Sequence, residues 1–181
     1  MARLPYPDDV LARARRIRLI GFDVDGTLTD GRLVYGSDGQ DNKAFHVQDG
    51  MGLVLLREAG VQVALVTART SAEVERRGRE LRLPHVYTGE RGKLACMQRI
   101  AGELGLGMDE VAFMGDDLTD LAAMRAAGLA IAPANAHPWA LEVAHWTTRR
   151  CGGEGAGRDA CDLLLHAQGR IEAILAHGEH P

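Results

Sequence analysis

Aromatic side chains make up only 4% of this chain, which leaves little from which to build a platform for stacking bases or sugars. Excess basic charge is missing too. The formal net charge is −4, so no field draws the protein to nucleic acid or to an anionic membrane. The opening MARLPYPDDVLARARRIR lacks an apolar core of the signal type, and no later run approaches the roughly 20 apolar residues of a membrane span. Cysteine is confined to Cys96, Cys151 and Cys161, with no CxxC pair. These thiols read as small apolar fillers rather than nucleophiles and suit a reducing, cytoplasmic setting. Internal repeats and low-complexity tracts are also absent. What is left is an ordinary globular composition, 46% hydrophobic and 25% charged over 181 residues. That is enough chain for one domain over 1–181 with a proper core.

The stretch that organises the rest is IRLIGFDVDGTLTD, residues 17–30. A short apolar run of the kind a buried parallel strand shows leads straight into Asp23 and Asp25. Open α/β sheets bind their ligands at the carboxyl ends of strands, which is where these acids fall. Gly26 lets the backbone turn sharply behind them. Two carboxylates one residue apart suit a hard cation and a phosphoryl group.

Strand-like and helix-like segments alternate along the chain. Strands are expected over 17–23, 61–67, 85–89, 111–117 and 129–132. Helices are expected over 8–16, from Asp49 or Gly50 to Gly60, from a Thr70/Glu73 capping box to about Leu81 with Pro84 as the stop, over 91–105, after 117 to about Ala127, and over 138–144. The predicted fold is α/β, a doubly wound, mostly parallel sheet with helices on both faces. One interruption stands out. Residues 31–47 hold two β-like runs, Leu33–Tyr35 and Ala44–Val47, around a Ser-Asp-Gly turn, which predicts a hairpin flap directly after the aspartates and nothing large enough to be a cap domain. Near the end, a glycine-rich piece (152–157) reads as structureless. It precedes one helix with Cys161, Leu164, Leu165, Gln168, Ile171 and Leu175 on a stripe, and HGEHP reads as a frayed end.

Polar residues close four of these segments: Asp23 and Asp25, Thr67, Lys93 just past the third strand, and Asp116, Asp117 and Asp120. A parallel sheet brings such ends to one edge. The set fits phosphoryl transfer through an aspartyl-phosphate. One carboxylate attacks phosphorus. A second, two residues on, protonates the leaving oxygen and then activates water. A divalent cation held by further acids offsets the repulsion, while a hydroxyl and an ammonium grip the phosphate. Lys93 is preferred to Arg91 because Gly92 places it at the mouth of a helix. A calcium loop is excluded, since glycine follows the second acid and a strand precedes the first. A phospho-accepting receiver module would also use acids, a hydroxyl and a lysine, but it has no carboxylate two residues beyond its acceptor. Asp25 separates the two. His46 reads equally as a flap contact or as hairpin packing, and the His177/His180 spacing makes no convincing metal pair.

Read together, DVDGTLT, Thr67, Lys93 and GDDLTD resemble the four motifs of the haloacid dehalogenase superfamily of phosphatases. The hairpin, KAFHVQDGMG (43–52), NAHP (135–138) and GGEGAGRDACDLLLHAQG (152–169) are similar to its capless branch, the 3-deoxy-D-manno-octulosonate 8-phosphate phosphatases. The resemblance implies Asp23 as nucleophile, Asp25 as general acid/base, and Mg2+ between the Asp23 carboxylate, the Asp25 carbonyl and Asp116. It implies Thr67 and Lys93 as phosphate ligands, Asp117 and Asp120 as supports for the metal and Lys93, and Arg158 as a guanidinium near the substrate. It also implies a phosphorylated sugar acid as substrate, with a nonulosonate ester as the alternative. Finally it implies a homotetramer whose hairpins meet centrally and whose tails reach neighbouring sites. Two positions depart from that branch: Gln48 and Glu154 stand where it carries arginine.

Overall fold

A computed structural model describes residues 6–37 and 41–177. In chain order the elements are α1 (Asp8–Ala14), β1 (Leu19–Phe22), β2 (Val34–Tyr35), β3 (Asp41–Asn42), α2 (Val47–Glu58), β4 (Gln62–Val66), α3 (Ala72–Glu80) and β5 (His85–Tyr87). They continue with α4 (Lys93–Glu103), β6 (Val111–Met114), α5 (Leu121–Ala126), β7 (Leu129–Ala132), α6 (Pro138–Val143), β8 (Trp146–Thr147), α7 (Ala156–Ala167) and α8 (Ile171–His177). Six strands form one sheet in the order β5-β4-β1-β6-β7-β8, and each neighbouring pair is parallel. The chain winds outward from β1 to β4 and β5, then crosses to β6 on the other side. That reversal puts a crevice at the carboxyl end of β1.

The central strands β1, β4, β6 and β7 are apolar on both sides because both sides are covered. Ile20 and Phe22 face a core shared with α1, α2, α3 and α7. Leu19 faces the opposite core, formed with α4, α5 and α6. Burying a side chain of that size contributes about 1.5–3 kcal/mol. Gly21 is the small residue of β1 because Met97 of α4 fills its space. A Cβ there would stand 2.6 Å from the Met97 sulfur.

The helix α7 lies along α2, and Asp49 ties the two. Its buried Oδ1 accepts the Arg158 backbone N–H at 2.7 Å. Gly52 and Gly157 allow the close approach, since a Cβ at either would crowd Cys161 or Leu28. Cys96 and Cys161 are buried fillers, as expected, and no disulfide forms among the described residues.

The expected doubly wound sheet is present; several local expectations are corrected. In the flap, Val34–Tyr35 pairs with Asp41–Asn42 and not with Ala44–Val47. Val47 already belongs to α2, because the His46 imidazole caps that helix by accepting the Gln48 N–H at 3.2 Å. The turn residues Asp38 and Gly39 lie outside the described residues. The cap of α3 is Ser71 rather than Thr70, its hydroxyl accepting the Val74 N–H and donating to Glu73. That helix ends at Glu80 with Leu81 as its C-cap, as expected, and it is Arg82, in the left-handed conformation at φ 53°, that follows it before Pro84.

The final stripe is two helices, separated at Gly169 (φ +67°). Gln168 does not pack in the stripe. Its amide donates to the carbonyls of Ala14 and Ile17. Leu175 is exposed. The glycine-rich piece is not structureless either: Gly152 and Gly155 are buried, and Gly152 donates its N–H to Asn135 Oδ1 at 2.8 Å. The two-residue β8, too short for a periodic signal, was not expected. Residues 178–181, with most of HGEHP and His180, lie outside the described residues.

Candidate active site

The first strand delivers Asp23 to the crevice. Its N–H donates to the Met114 carbonyl at 2.9 Å, which carries the β1–β6 ladder one residue past the strand. The chain then curls. The N–H groups of Leu28 and Thr29 both donate to the Val24 carbonyl. At Gly26 the backbone takes φ +95°, and a Cβ there would overlap the Asp116 carboxylate. Glycine is therefore required at this position twice over, by conformation and by the acid packed against it.

The other strand ends converge as the topology requires. Thr67 follows β4 and donates its hydroxyl to Asp25 Oδ2 at 3.2 Å. Asp116 follows β6 and accepts the Thr27 hydroxyl on Oδ1 at 3.0 Å. Lys93 opens α4, and its Nζ reaches Asp23 Oδ1 at 2.6 Å and Asp120 Oδ1 at 2.5 Å. Arg91 is exposed. Asp120 is fully buried, and its second oxygen accepts the backbone N–H groups of Asp116 and Asp117 at 2.9 and 3.1 Å. It thus fixes both the lysine and the loop that presents Asp116.

Two predicted residues are not joined to this group within the chain. Asp117 is exposed and spends its carboxylate on the Leu118 N–H at 2.7 Å. Arg158 is held by Asp162, Nε to Oδ1 at 2.7 Å, where α7 meets α2. Conversely, three partners were missed. Lys43, on the arm from the hairpin to α2, is ion-paired with Asp25 Oδ1. Thr27 and Thr119 contact Asp116 and Lys93. Thr27 and Thr119 stand inside the two acidic motifs; Lys43 follows no strand of the main sheet, and its signals were its neighbourhood to the flap and its place at the head of KAFHVQDGMG (43–52).

Burial raises the Asp23 pKa well above the ordinary carboxylate range, the Asp120 charge adds to the rise, and Lys93 opposes it. Asp116 is pushed up to about 6 by burial and by Asp120. Burial works against the Lys93 charge, yet Asp23 and Asp120 outweigh it and the lysine pKa is raised. Such crowding of acids is what a bound cation relieves. Asp23, Asp116 and Asp120 each place one oxygen within 4.8 Å of the others. Asp120 is committed to Lys93 and the loop through both oxygens, whereas Asp23 and Asp116 each spend one oxygen, on Lys93 and Thr27, and have the other to offer. Hard oxygen donors in this arrangement fit a magnesium-sized ion.

At the positions that depart from the branch, Gln48 Oε1 accepts from Arg150 Nη1 at 2.7 Å, and Arg150 is held in turn by Asp159 at 3.0 Å. Glu154 is exposed.

An acidic pair after the first strand, a strand-end threonine, a buried lysine and a second acidic loop on a doubly wound sheet define a hydrolase of the haloacid dehalogenase type. A family model described as haloacid dehalogenase-like hydrolase matches residues 52–128. The chain is 42% identical over 168 residues to the 3-deoxy-D-manno-octulosonate 8-phosphate phosphatase KdsC of Yersinia pestis, covering 93% of this chain and 90% of that one. The crystal structure of the Moraxella catarrhalis 3-deoxy-D-manno-octulosonate 8-phosphate phosphatase, in complex with magnesium ion, phosphate ion and KDO, superposes with a TM-score of 0.93. It is 38% identical and covers 96% of this chain and 100% of that chain. A crystal structure of a hypothetical protein from Xanthomonas campestris is 51% identical with a TM-score of 0.93, covering 98% of this chain and all of that one. The chain belongs to the 3-deoxy-D-manno-octulosonate 8-phosphate phosphatase family of haloacid dehalogenase-like hydrolases.

Proposed function

We propose that the protein is a magnesium-dependent phosphomonoesterase that converts 3-deoxy-D-manno-octulosonate 8-phosphate to the free sugar acid and phosphate. The observation that carries this reading is the convergence of Asp23, Asp25, Thr67, Lys93 and Asp116 at the carboxyl end of β1. Asp23 attacks phosphorus, the bond from phosphorus to the 8-oxygen breaks, and Asp25 gives that oxygen its proton. Asp25 then takes a proton from water as the water oxygen attacks the aspartyl-phosphate. Breaking the acyl-phosphate bond restores Asp23 and releases phosphate.

Thr67 and Lys93 hold the phosphoryl oxygens, and Asp120 holds Lys93. The carboxylates of Asp23 and Asp116 and the Asp25 carbonyl would hold the ion. When bound, magnesium supplies the positive charge that lets an anionic nucleophile approach an anionic phosphate. Asp117 serves the same loop by capping it.

The active form in this reading is a cytoplasmic homotetramer. Exposed Leu33, Val34 and Tyr35 on the hairpin, with Val47 and Met51 beyond it, supply an apolar surface for neighbouring copies. Arg158 would then contribute to a neighbour's crevice. The free cysteines suit that compartment, and among the described residues no helix is long and apolar enough to cross a membrane.

A second substrate is kept open by the engagement of Gln48 with Arg150 and by the exposed acid at Glu154, both at positions where the branch carries arginine. A phosphate-release screen across phosphorylated sugars and sugar acids, with and without magnesium, decides. A sharp preference for the eight-carbon ester supports the primary reading. A preference for a nine-carbon ester supports a nonulosonate 9-phosphate, and no release from any ester rejects both.

A further inference from the structure

Lys43 is buried to an unusual degree for a lysine, with 4% of its side chain exposed. Such a side chain must be paired, and it is paired with Asp25. Asp25 does not need it for support, because Thr67 already holds the other carboxylate oxygen. An apolar residue on the same arm could be buried at lower cost. The placement therefore calls for a use beyond packing.

The neighbouring donors suggest what that use is. Thr67 and Lys93, the two residues read above as phosphate ligands, each rest on a reacting carboxylate, Thr67 on Asp25 and Lys93 on Asp23. Lys43 stands in the same relation to the remaining Asp25 oxygen. Charge points the same way. Asp23, Asp25, Asp116 and Asp120 carry four formal negative charges against the two lysines bonded to them. A phosphomonoester brings about two more at neutral pH, more than one magnesium ion offsets. Lys43 also lines an open pocket of about 300 Å³ with Phe45, Val47, Glu73 and Arg76, so its side chain borders space rather than sealed core.

We propose that Lys43 is a third ligand of the substrate phosphate: on binding, its ammonium passes from Asp25 Oδ1 to a phosphoryl oxygen, which frees Asp25 to take up a proton and face the leaving oxygen as the carboxylic acid. The hairpin arm then becomes part of the phosphate site. This inference rests on the phosphomonoesterase reading for its substrate, but its test does not depend on turnover.

The test is calorimetric titration of inorganic phosphate into the full-length, magnesium-loaded protein, comparing wild type with Lys43→Met, Lys43→Gln and Lys43→Arg. Losing a charged hydrogen bond should weaken phosphate binding about 10- to 100-fold in the Met and Gln variants, with KM rising in step and the Arg variant keeping most of the affinity. Two neutral variants keep the test readable if one of them folds poorly. Wild-type affinity for phosphate in either folded neutral variant overturns the proposal, whatever happens to turnover. Lys43-dependent phosphate binding by a wild type that hydrolyses no ester would remove the phosphatase reading and leave this one standing.

Discussion

Lys93 Nζ stands 2.6 Å from Asp23 Oδ1 in a space that exposes 2% of the lysine side chain and 7% of the aspartate's. Asp120 closes the group from the other side at 2.5 Å. Removing the lysine leaves two buried carboxylates facing each other, so Lys93→Met should cost about 3–5 kcal/mol of stability. Turnover should fall about 10²–10³-fold through loss of a charge aimed at the phosphoryl group. Urea unfolding and initial-rate assays measure the two separately. Lys93→Arg should not restore activity, because a planar guanidinium cannot occupy a point-charge site between two acids.

Gly26 separates conformation from chemistry. An alanine there carries a left-handed backbone penalty of about 1–2 kcal/mol and pushes a methyl group into Asp116. Gly26→Ala should fold but bind magnesium poorly, with excess metal recovering part of the activity. Magnesium titration against turnover and unfolding gives the check.

The raised pKa of Asp116, about 6 in the metal-free protein, fixes a pH dependence. An unfolded aspartate titrates near ~3.9, so the folded form holds the proton more tightly. The stability tied to that proton is complete below the unfolded pKa and is lost as pH rises through about 6. Asp23 shifts in the same direction. Magnesium competes with those protons. The gain in unfolding temperature on adding magnesium should therefore be larger at pH 7.5 than at pH 5, and calorimetry should show protons released on binding near pH 6.

The turn after Cys151 touches the catalytic loop at backbone level. A Cβ on Gly152 would overlap the Gly26 carbonyl, whereas one on Gly102, in the last turn of α4, would meet nothing. Gly152→Ala should lower turnover more than it lowers stability by displacing the loop that carries Asp25. Gly102→Ala should gain about 0.5–1 kcal/mol with no change in rate. Parallel melting curves and rate assays distinguish these outcomes.

The sheet and the core of the site were legible because both repeat simple physical signals. Strands buried on two faces are apolar throughout, and the parallel order follows from alternation with helices. Asp23, Thr67 and Asp116 were readable as the polar residues that end those strands. Lys43 was not, since its contact with Asp25 depends on how the hairpin arm lies across the crevice and no strand of the main sheet leads to it. Asp117 shows the converse. It sits in the acidic motif, yet its carboxylate caps the following turn.

Local boundaries failed where a cap or a close backbone approach overrode pattern. His46 takes the cap of α2, which turns a β-like run into the lead-in to a helix. The glycine-rich tail looked like linker because glycine signals flexibility and close approach equally. The overlap with Gly26 that any Cβ at Gly152 would suffer, with the Gly152 N–H held by Asn135, shows that close approach applies.

The central claim is that Asp23 is the nucleophile. The most direct measurement is an acid-quenched reaction of the Asp25→Asn variant with the preferred phosphate ester, followed by peptide mass spectrometry. The variant should accumulate one phosphoryl group on the peptide that contains Asp23, at the Asp23 carboxylate, and Asp23→Asn should show neither that adduct nor turnover. A phosphoryl group on another residue, or steady hydrolysis by the Asp23→Asn protein, would contradict the account.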